Sequence, residues 1–341
     1  MVASRDRTID PPAEAAAPRG AAASSKTHSL PRFEGRSSRR HRTVPLWRLQ
    51  LAAEIARWRS GLSPVETFAQ FVGFPRSGHS LVGALLDAHD EAVVAHELDA
   101  VGLLRKGFSA SRLGPLIERN AMAFTRSGRW WNGFRYAVEG AVHGPVPKPV
   151  VIGDKKGDWA ARWCAADPGL VESCRAALAP MRHAWILVVR HPFDNVATMS
   201  MRRGGVYDRL AIDAPSRSAF REALVRAQAD GLVARAVDDA VVDDYRALAA
   251  SVAAIKARVP AEDWIEIVYE DFTAAPRESL AALLGFLGLE PRPDWLDRAA
   301  AIVSPTSRHS RDQVAWTPEQ REALTATIAR HDFLAAYRAP P

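Results

Sequence analysis

Gly73-Phe74-Pro75-Arg76-Ser77-Gly78-His79-Ser80 is the stretch on which the reading of this chain turns. An apolar run, Thr67 to Val72, leads into it, and a helical pattern of Leu81, Leu85 and Leu86 leads out. A strand, a glycine-framed turn and a helix together wrap backbone N–H groups around a phosphate and aim the helix dipole at it. The spacing is Gly-x-x-x-x-Gly, but His79 stands where nucleotide-hydrolysing loops carry lysine. The cation has moved into the turn as Arg76. The loop is therefore expected to grip an anionic ester without being an ordinary ATPase or GTPase loop.

Outward from this loop, short apolar runs alternate with helical periodicity. The runs are Phe68–Phe74, Ala92–Ala95, Pro149–Ile152, His183–Val189 and Trp264–Tyr269. Helical patterns fall at roughly 78–89, 97–106, 111–126, 157–179, 193–203, 216–258, 273–288, 294–303 and 318–331. Alternation of this kind predicts an α/β fold, a P-loop NTPase-like parallel sheet of about five strands with helices on both faces. Ligands in such sheets bind beyond the carboxyl ends of the strands.

Composition bounds the rest. The chain has 341 residues, 48% hydrophobic and 25% charged, enough for a normal core. Its net charge of +6 invites a nucleic-acid partner, but residues 1–45, with nine basic and four acidic side chains, account for five of those charges. They are rich in Ala, Pro, Ser and Arg and read as a disordered basic leader, not a binding arm. Trp47, Leu49, Leu51, Ile55 and Trp58 predict an amphipathic helix after it. Residues 46–341 then read as a single domain. Two cysteines, Cys164 and Cys174, form no zinc or disulfide pattern and fit a reducing compartment. No apolar run approaches the ~18 residues that span a bilayer, and no signal peptide opens the chain. The expectation is a cytoplasmic protein without metal and without a nucleic-acid partner.

Each run ends in ionisable residues: Arg76 after the first, His96-Glu97 after the second, Asp154-Lys155-Lys156 after the third, Arg190-His191-Pro192-Phe193-Asp194 after the fourth and Glu270-Asp271 after the fifth. The fourth is the most telling. A magnesium-dependent P-loop enzyme would end a strand near here in a metal-holding Asp. Arg190 clamps phosphate and cannot ligate a metal. Thr198 and Arg202 follow, four apart on one helix face. A second phosphate fits between Arg190 and Thr198.

With these two elements in place, residues 66–335 resemble the sulfotransferases that use 3′-phosphoadenosine-5′-phosphosulfate (PAPS). The first loop of that family reads Pro-[Lys/Arg]-Ser-Gly-Thr-[Ser/Thr], matched by Pro75 to Ser80. The second reads Arg-x-Pro-x-Asp-x-x-x-Ser, matched by Arg190 to Thr198. Val268 to Phe272, Leu283 to Leu289, Ser307-Arg308-His309 and Trp316 are also similar to the family. His79 replaces the usual Thr, and Thr198 the usual Ser. The Pro-Arg-Ser-Gly loop and Glu97 place the resemblance nearer to the bacterial, carbohydrate and tyrosylprotein branch than to the cytosolic phenol and steroid enzymes.

The resemblance implies a transferase moving a sulfuryl group from PAPS to a hydroxyl or amine acceptor, in line and without metal. Arg76, Ser77, Gly78, His79 and Ser80 would hold the 5′-phosphosulfate, and Arg190 and Thr198 the 3′-phosphate. Glu97 would be the general base, with His96 as its rival, and Lys155 would stabilise transferring oxygens. Lys156 reads as a surface residue, and Asp194 as a helix cap or an orienter of Arg190. Residues 106–148, with Arg129-Trp130-Trp131-Asn132-Gly133-Phe134-Arg135-Tyr136, form the candidate acceptor side, suited to a small-molecule, carbohydrate or phenolic acceptor. Arg308 and Arg311 are candidates to close over the nucleotide. A P-loop small-molecule kinase and a non-catalytic nucleotide-binding protein on the same fold stand as alternatives. Oligomeric state is not encoded in any motif.

Overall fold

Strand β1 (Thr67–Gly73) is buried along its whole length and forms the centre of a five-stranded sheet. β2 (Ala92–Ala95) and β5 (Val151–Asp154) lie on one side of it, β6 (Arg182–Val189) and β8 (Trp264–Val268) on the other, in the order β2-β5-β1-β6-β8. All four pairings are parallel. The chain leaves β1 for one edge, returns through β5, and crosses to β6. The carboxyl ends of β5, β1 and β6 thus flank the crevice where such a sheet binds ligands. Two short two-stranded sheets complete the strands: β3 (Trp130–Trp131) with β4 (Phe134–Arg135), and β7 (Arg235–Ala236) with β9 (Val314–Ala315).

This computed structural model describes residue 56 and residues 65–132, 134–141, 146–206, 216–229, 235–305 and 309–338. The basic leader 1–45, the helix expected around Trp47 to Trp58 (Ala56 excepted) and Arg308 lie outside them.

Side chains alternate across the sheet because successive strand residues point to opposite faces. Phe68 and Val72 of β1, with Trp185, Leu187 and Val189 of β6, face one core. Helices α2 (Ala100–Arg105), α3 (Ala110–Arg126), α4 (Gly157–Ala166), α5 (Leu170–Leu178) and α8 (Asp239–Lys256) contribute to that core. Ala69 and Phe71, with Ala184, Ile186 and Val188, face the other, under α1 (His79–Leu86), α10 (Pro276–Leu287) and α11 (Pro293–Ala300). Both faces are apolar, which is why these strands read as continuous hydrophobic runs. The largest side chains, such as Phe68 and Phe71, are fully buried, and each such burial stabilises by about 1.5–3 kcal/mol.

All five sheet strands fall where the sequence predicts them, and the α/β fold with helices on both faces is observed. Three boundaries differ. The third strand starts later and runs through Gly153 and Asp154, because Asp154 is completely buried and spends its oxygens on backbone N–H groups. The helix expected over 157–179 breaks into α4 and α5 at Asp167-Pro168-Gly169. Pro168 disfavours the helical conformation of the residue before it, and Asp167 is extended. The helix expected over 216–258 is likewise two, α7 (Arg217–Ala229) and α8. Among the described residues no helix is long and apolar enough to cross a membrane.

Candidate functional site

The carboxyl edge of the sheet opens into a cavity of about 400 Å³. Its lining includes Arg76, Gly78, His79, Ser80, Glu97, Arg190 and Thr198, together with Trp131, Asn132, Phe134, Arg135 and Tyr136 from the β3–β4 hairpin. Lys155, buried beneath it, is bonded to both Ser80 and Glu97. The topology therefore brings Arg76, Gly78, His79, Ser80, Glu97, Arg190 and Thr198 to one cavity, with Lys155 beneath it.

The turn after β1 delivers the first group. Gly78 caps α1 with φ at +103°, and no side chain caps the helix. A helix N-terminus left open in this way attracts an anion. A Cβ at Gly78 would lie 2.2 Å from the Tyr269 ring, so only glycine fits between that ring and the loop. Arg76 is also left-handed, at φ +69°. Strain of this kind costs a non-glycine residue about 1–3 kcal/mol and gathers at functional sites. Asn195 of α6 (Pro192–Arg203) donates to the Pro75 carbonyl at 2.8 Å and ties the turn to the next motif. His79 is buried, with its Nδ1 3.3 Å from Ser77 Oγ. Burial first, and then the Lys155 charge, push its pKa down to about 3, so it is a neutral imidazole. It can donate one hydrogen bond but carries none of the charge of the lysine it replaces.

The end of β6 delivers the second group. Arg190 Nη1 lies 3.3 Å from Thr198 Oγ1 and Nη2 lies 3.4 Å from Ser310 Oγ, with the guanidinium 5.8 Å over the Tyr269 ring. The Thr198 hydroxyl donates to the Asp194 carbonyl at 2.9 Å. Asp194 does not cap its own helix. Its carboxylate accepts from the Arg311 backbone N–H at 2.8 Å and pairs with the Arg311 guanidinium at 3.8 Å. Arg311 is thereby held beside the Arg190 loop. Glu270 braces the same loop, accepting from the His191 N–H and from Tyr337 Oη.

The third group is a carboxylate between two ammonium ions. Glu97 Oε1 is 2.5 Å from Lys155 Nζ, and Oε2 bonds Lys156 Nζ. Burial alone would raise the Glu97 pKa, but Lys155 and Lys156 outweigh it and hold the carboxyl well below the usual range. Lys155 is completely buried, and its ammonium also reaches Ser80 Oγ at 3.0 Å and lies 5.5 Å over the Trp131 ring. Burial, partly offset by Glu97, lowers its pKa. Lys156, expected at the surface, is instead half-buried and engaged with Glu97 and Asp158. It lines the cavity together with Glu97 and Asp158. His96, the rival base, stacks on Phe124 at 3.9 Å and meets Trp131 edge-on. Burial pushes its pKa down to about 2. It is a neutral packing residue.

The supporting roles of several residues were not visible in the sequence, among them Asp154 at a strand end and Arg129, expected on the acceptor side and instead buried. Asp154 accepts from the N–H groups of Leu98 and Ala100 at 3.0 and 2.7 Å, fixing the backbone that carries Glu97 at φ +67°. A carboxylate inside an apolar run was the available signal. Gly83 makes room for Lys155, since a Cβ there would lie 2.6 Å from Lys155 Cγ. Arg129 is buried and donates to Asp87 Oδ2, the Ala84 carbonyl and the Tyr136 carbonyl at 2.7, 2.8 and 2.9 Å. It rivets the β3–β4 hairpin to α1. The 106–148 stretch is accordingly not one flap. Its helix α3 sends Leu113, Ile117 and Ala121 into the main core, and the hairpin faces the cavity. With its oxygen turned toward them, the Asn132 carboxamide accepts from Trp131 Nε1 and Arg76 Nη1, both at 2.9 Å.

A model of the sulfotransferase family matches residues 71–294, which include the phosphate loop, Glu97, the lysine pair and Arg190. No curated protein matches the chain. Among solved structures, the sulfotransferase STF9 from Mycobacterium avium is 13% identical, with 84% of this chain and 82% of that one covered and a TM-score of 0.43. A sulfotransferase from Alicyclobacillus acidocaldarius is 17% identical over 81% of this chain and 97% of its own, with a TM-score of 0.40. The mouse sulfotransferase SULT7A1 complexed with PAP is 14% identical over 84% and 94%, with a TM-score of 0.37. From the family match over about two-thirds of its length, this chain belongs to the sulfotransferase family and is a transferase of sulfuryl groups.

Proposed function

We propose that the chain transfers the sulfuryl group of PAPS to a hydroxyl-bearing small molecule, with Glu97 as general base and without a metal ion. One observation carries this reading: the cavity has two cationic ends on one sheet edge, Arg76 with the open N-terminus of α1, and Arg190 with Thr198. PAPS presents two separate anionic groups, the 5′-phosphosulfate and the 3′-phosphate, and needs two such ends. ATP has no 3′-phosphate for Arg190.

The residues divide the work as follows. Arg76, Ser77, Gly78, His79 and Ser80 hold the 5′-phosphosulfate, His79 as a neutral donor. Arg190 and Thr198 hold the 3′-phosphate. The acceptor oxygen attacks sulfur, the bond from sulfur to the 5′-phosphate oxygen breaks, and the electron pair leaves on 3′-phosphoadenosine-5′-phosphate (PAP). The hydroxyl proton passes to Glu97. Lys155, between Ser80 and Glu97, stabilises the sulfuryl oxygens. Positioning and electrostatics supply most of the rate in such a transfer, and a positioned base adds ~10²–10⁴-fold. Residues 46–341 form the catalytic domain in this reading, and the hairpin within 106–148 forms the acceptor side, where Trp131, Phe134 and Tyr136 offer faces for a sugar or phenol ring.

Calorimetric titration with PAP in the absence of metal tests the cosubstrate. Tight binding by wild type, weakly competed by ATP and lost in Arg190→Ala, is the expected result. No binding, or a magnesium-dependent preference for ATP, overturns the reading in favour of a kinase. Glu97→Gln tests the base: PAP affinity is retained and PAPS turnover falls ~10²–10⁴-fold.

A further inference from the structure

Glu97 is well placed to take a proton and poorly prepared to do so. Both of its oxygens are occupied by ammonium groups. A carboxylate held this way is a weak base, because a proton must displace a stronger partner.

The two lysines differ in what else they touch. Lys155 reaches Ser80 in the phosphate loop, so an anion bound at the loop competes with Glu97 for it. Among the described residues Lys156 makes no hydrogen bond or ion pair to the loop. Its other partner is Asp158 Oδ1, 3.5 Å away in the first turn of α4 and on the wall of the same cavity. The Lys156 ammonium therefore sits between two carboxylates that both face the reaction space.

We propose that Asp158 is a positioning residue that draws Lys156 off Glu97 and so sets the basicity of the reacting carboxylate. This rests on the reading of Glu97 as the base. With an anion on Lys155 and Asp158 on Lys156, the Glu97 oxygens are open to an acceptor hydroxyl. Without Asp158, Lys156 stays on Glu97. The charged and titratable groups facing Glu97 are Lys155 and the buried Asp154 from the end of β5, Lys156 and Asp158 from the start of α4, and the neutral His79 from α1, with His96 preceding it in the chain; Arg162 of α4 also faces Asp158. Burial, which outweighs the pull of Lys156 and Arg162 and is reinforced by the Glu97 charge, holds the Asp158 pKa above the ordinary value.

The test is a carboxyl-carbon NMR titration of the full chain labelled at glutamate, with the Glu97 signal assigned by its loss in Glu97→Gln. Lys155→Met brings Glu97 into the measurable range and serves as the background. Adding Asp158→Asn to it is expected to lower the Glu97 pKa by about one unit, and adding Lys156→Met to raise it by about 1–3 units. Lys156→Arg in the same background should restore the lower value, and signal dispersion reports that each variant is folded. No change or a rise with Asp158→Asn, or no rise with Lys156→Met, overturns the proposal. PAPS turnover of Glu97→Gln, measured separately, reads the base assignment. Retained turnover there removes the catalytic purpose, while the titration still decides whether Asp158 and Lys156 compete for charge.

Discussion

The loop side of the cavity and the hairpin side are built by different means. On the loop side, the charged groups come from two short stretches, Pro75 to Ser80 and Arg190 to Thr198. Arg190 meets Thr198 eight residues away, and Ser77 meets His79 two residues away. Backbone geometry does most of the assembly there, and tertiary braces such as Asn195 to Pro75 only hold the two pieces together. On the hairpin side the ion pairs join groups distant in sequence, beside local bonds such as Arg129 to the Tyr136 carbonyl. Glu97 meets Lys155 and Lys156 from 58 and 59 residues away, and Arg129 meets Asp87 from 42. The contrast separates a cationic turn, which a local motif can encode, from a buried charge cluster, which only packing can create.

The comparison can be broken at its hairpin end by Arg129→Met. Removing one partner of a buried ion pair costs about 3–5 kcal/mol, and chemical denaturation of the full chain should show a loss of that size. A loss confined to the surface-pair range of about 0–1 kcal/mol would mean the hairpin is not riveted through this residue. Hydrogen exchange should rise in Trp130–Tyr136 more than in the turn after β1.

At the loop end, Arg190→Ala should weaken PAP binding by about 2–5 kcal/mol, as truncation of a buried charge partner does, with little change in the hairpin. Equal weakening by Arg135→Ala would blur the division of the cavity into two sides. Gly78→Ala comes next. The φ of +103° and the Tyr269 ring 2.2 Å from a built Cβ predict a loss of about 1–3 kcal/mol in stability, together with weakened PAP binding. Stability unchanged in this variant would show that the turn has room the geometry denies.

The effect that is smallest at pH 7 touches neither side. His183 lies near the start of β6, away from the site edge, between the Phe68 and Trp185 rings. Burial pushes its pKa down to about 3, and neither ring nitrogen has a hydrogen-bond partner among the described residues. The unfolded chain binds a proton near pH 6.5 that the folded protein refuses until about pH 3. Its contribution is therefore present above pH 6.5 and lost as pH falls toward 3, at about 1.4 kcal/mol per unit. His183→Phe should flatten the acid limb of the stability curve by one proton and leave PAP affinity unchanged at pH 7.

The same division explains what could be read before the structure. Sheet strands announced themselves because both faces of β1 and β6 are buried, and the phosphate loop because its glycines and its flanking strand and helix are contiguous. Asp154, Gly83 and Arg129 gave no comparable sign. Their meaning depends on which backbone N–H, which lysine and which helix lie opposite, and these come from elsewhere in the chain. Lys156 was misplaced for the same reason, since exposure is a property of neighbours.

Hydrophobic period, glycine and local spacing act within a few residues, so the alternation of strands and helices, the glycine-framed turn and the Arg190–Thr198 spacing are legible along the chain. Only the tertiary structure decided that Glu97 lies between two lysines, that Asp158 shares one of them, and that the hairpin is pinned to α1. Each of those depends on the β2-β5-β1-β6-β8 order, which brings chain segments dozens of residues apart to one buried edge, where low solvent access makes their charges act on one another.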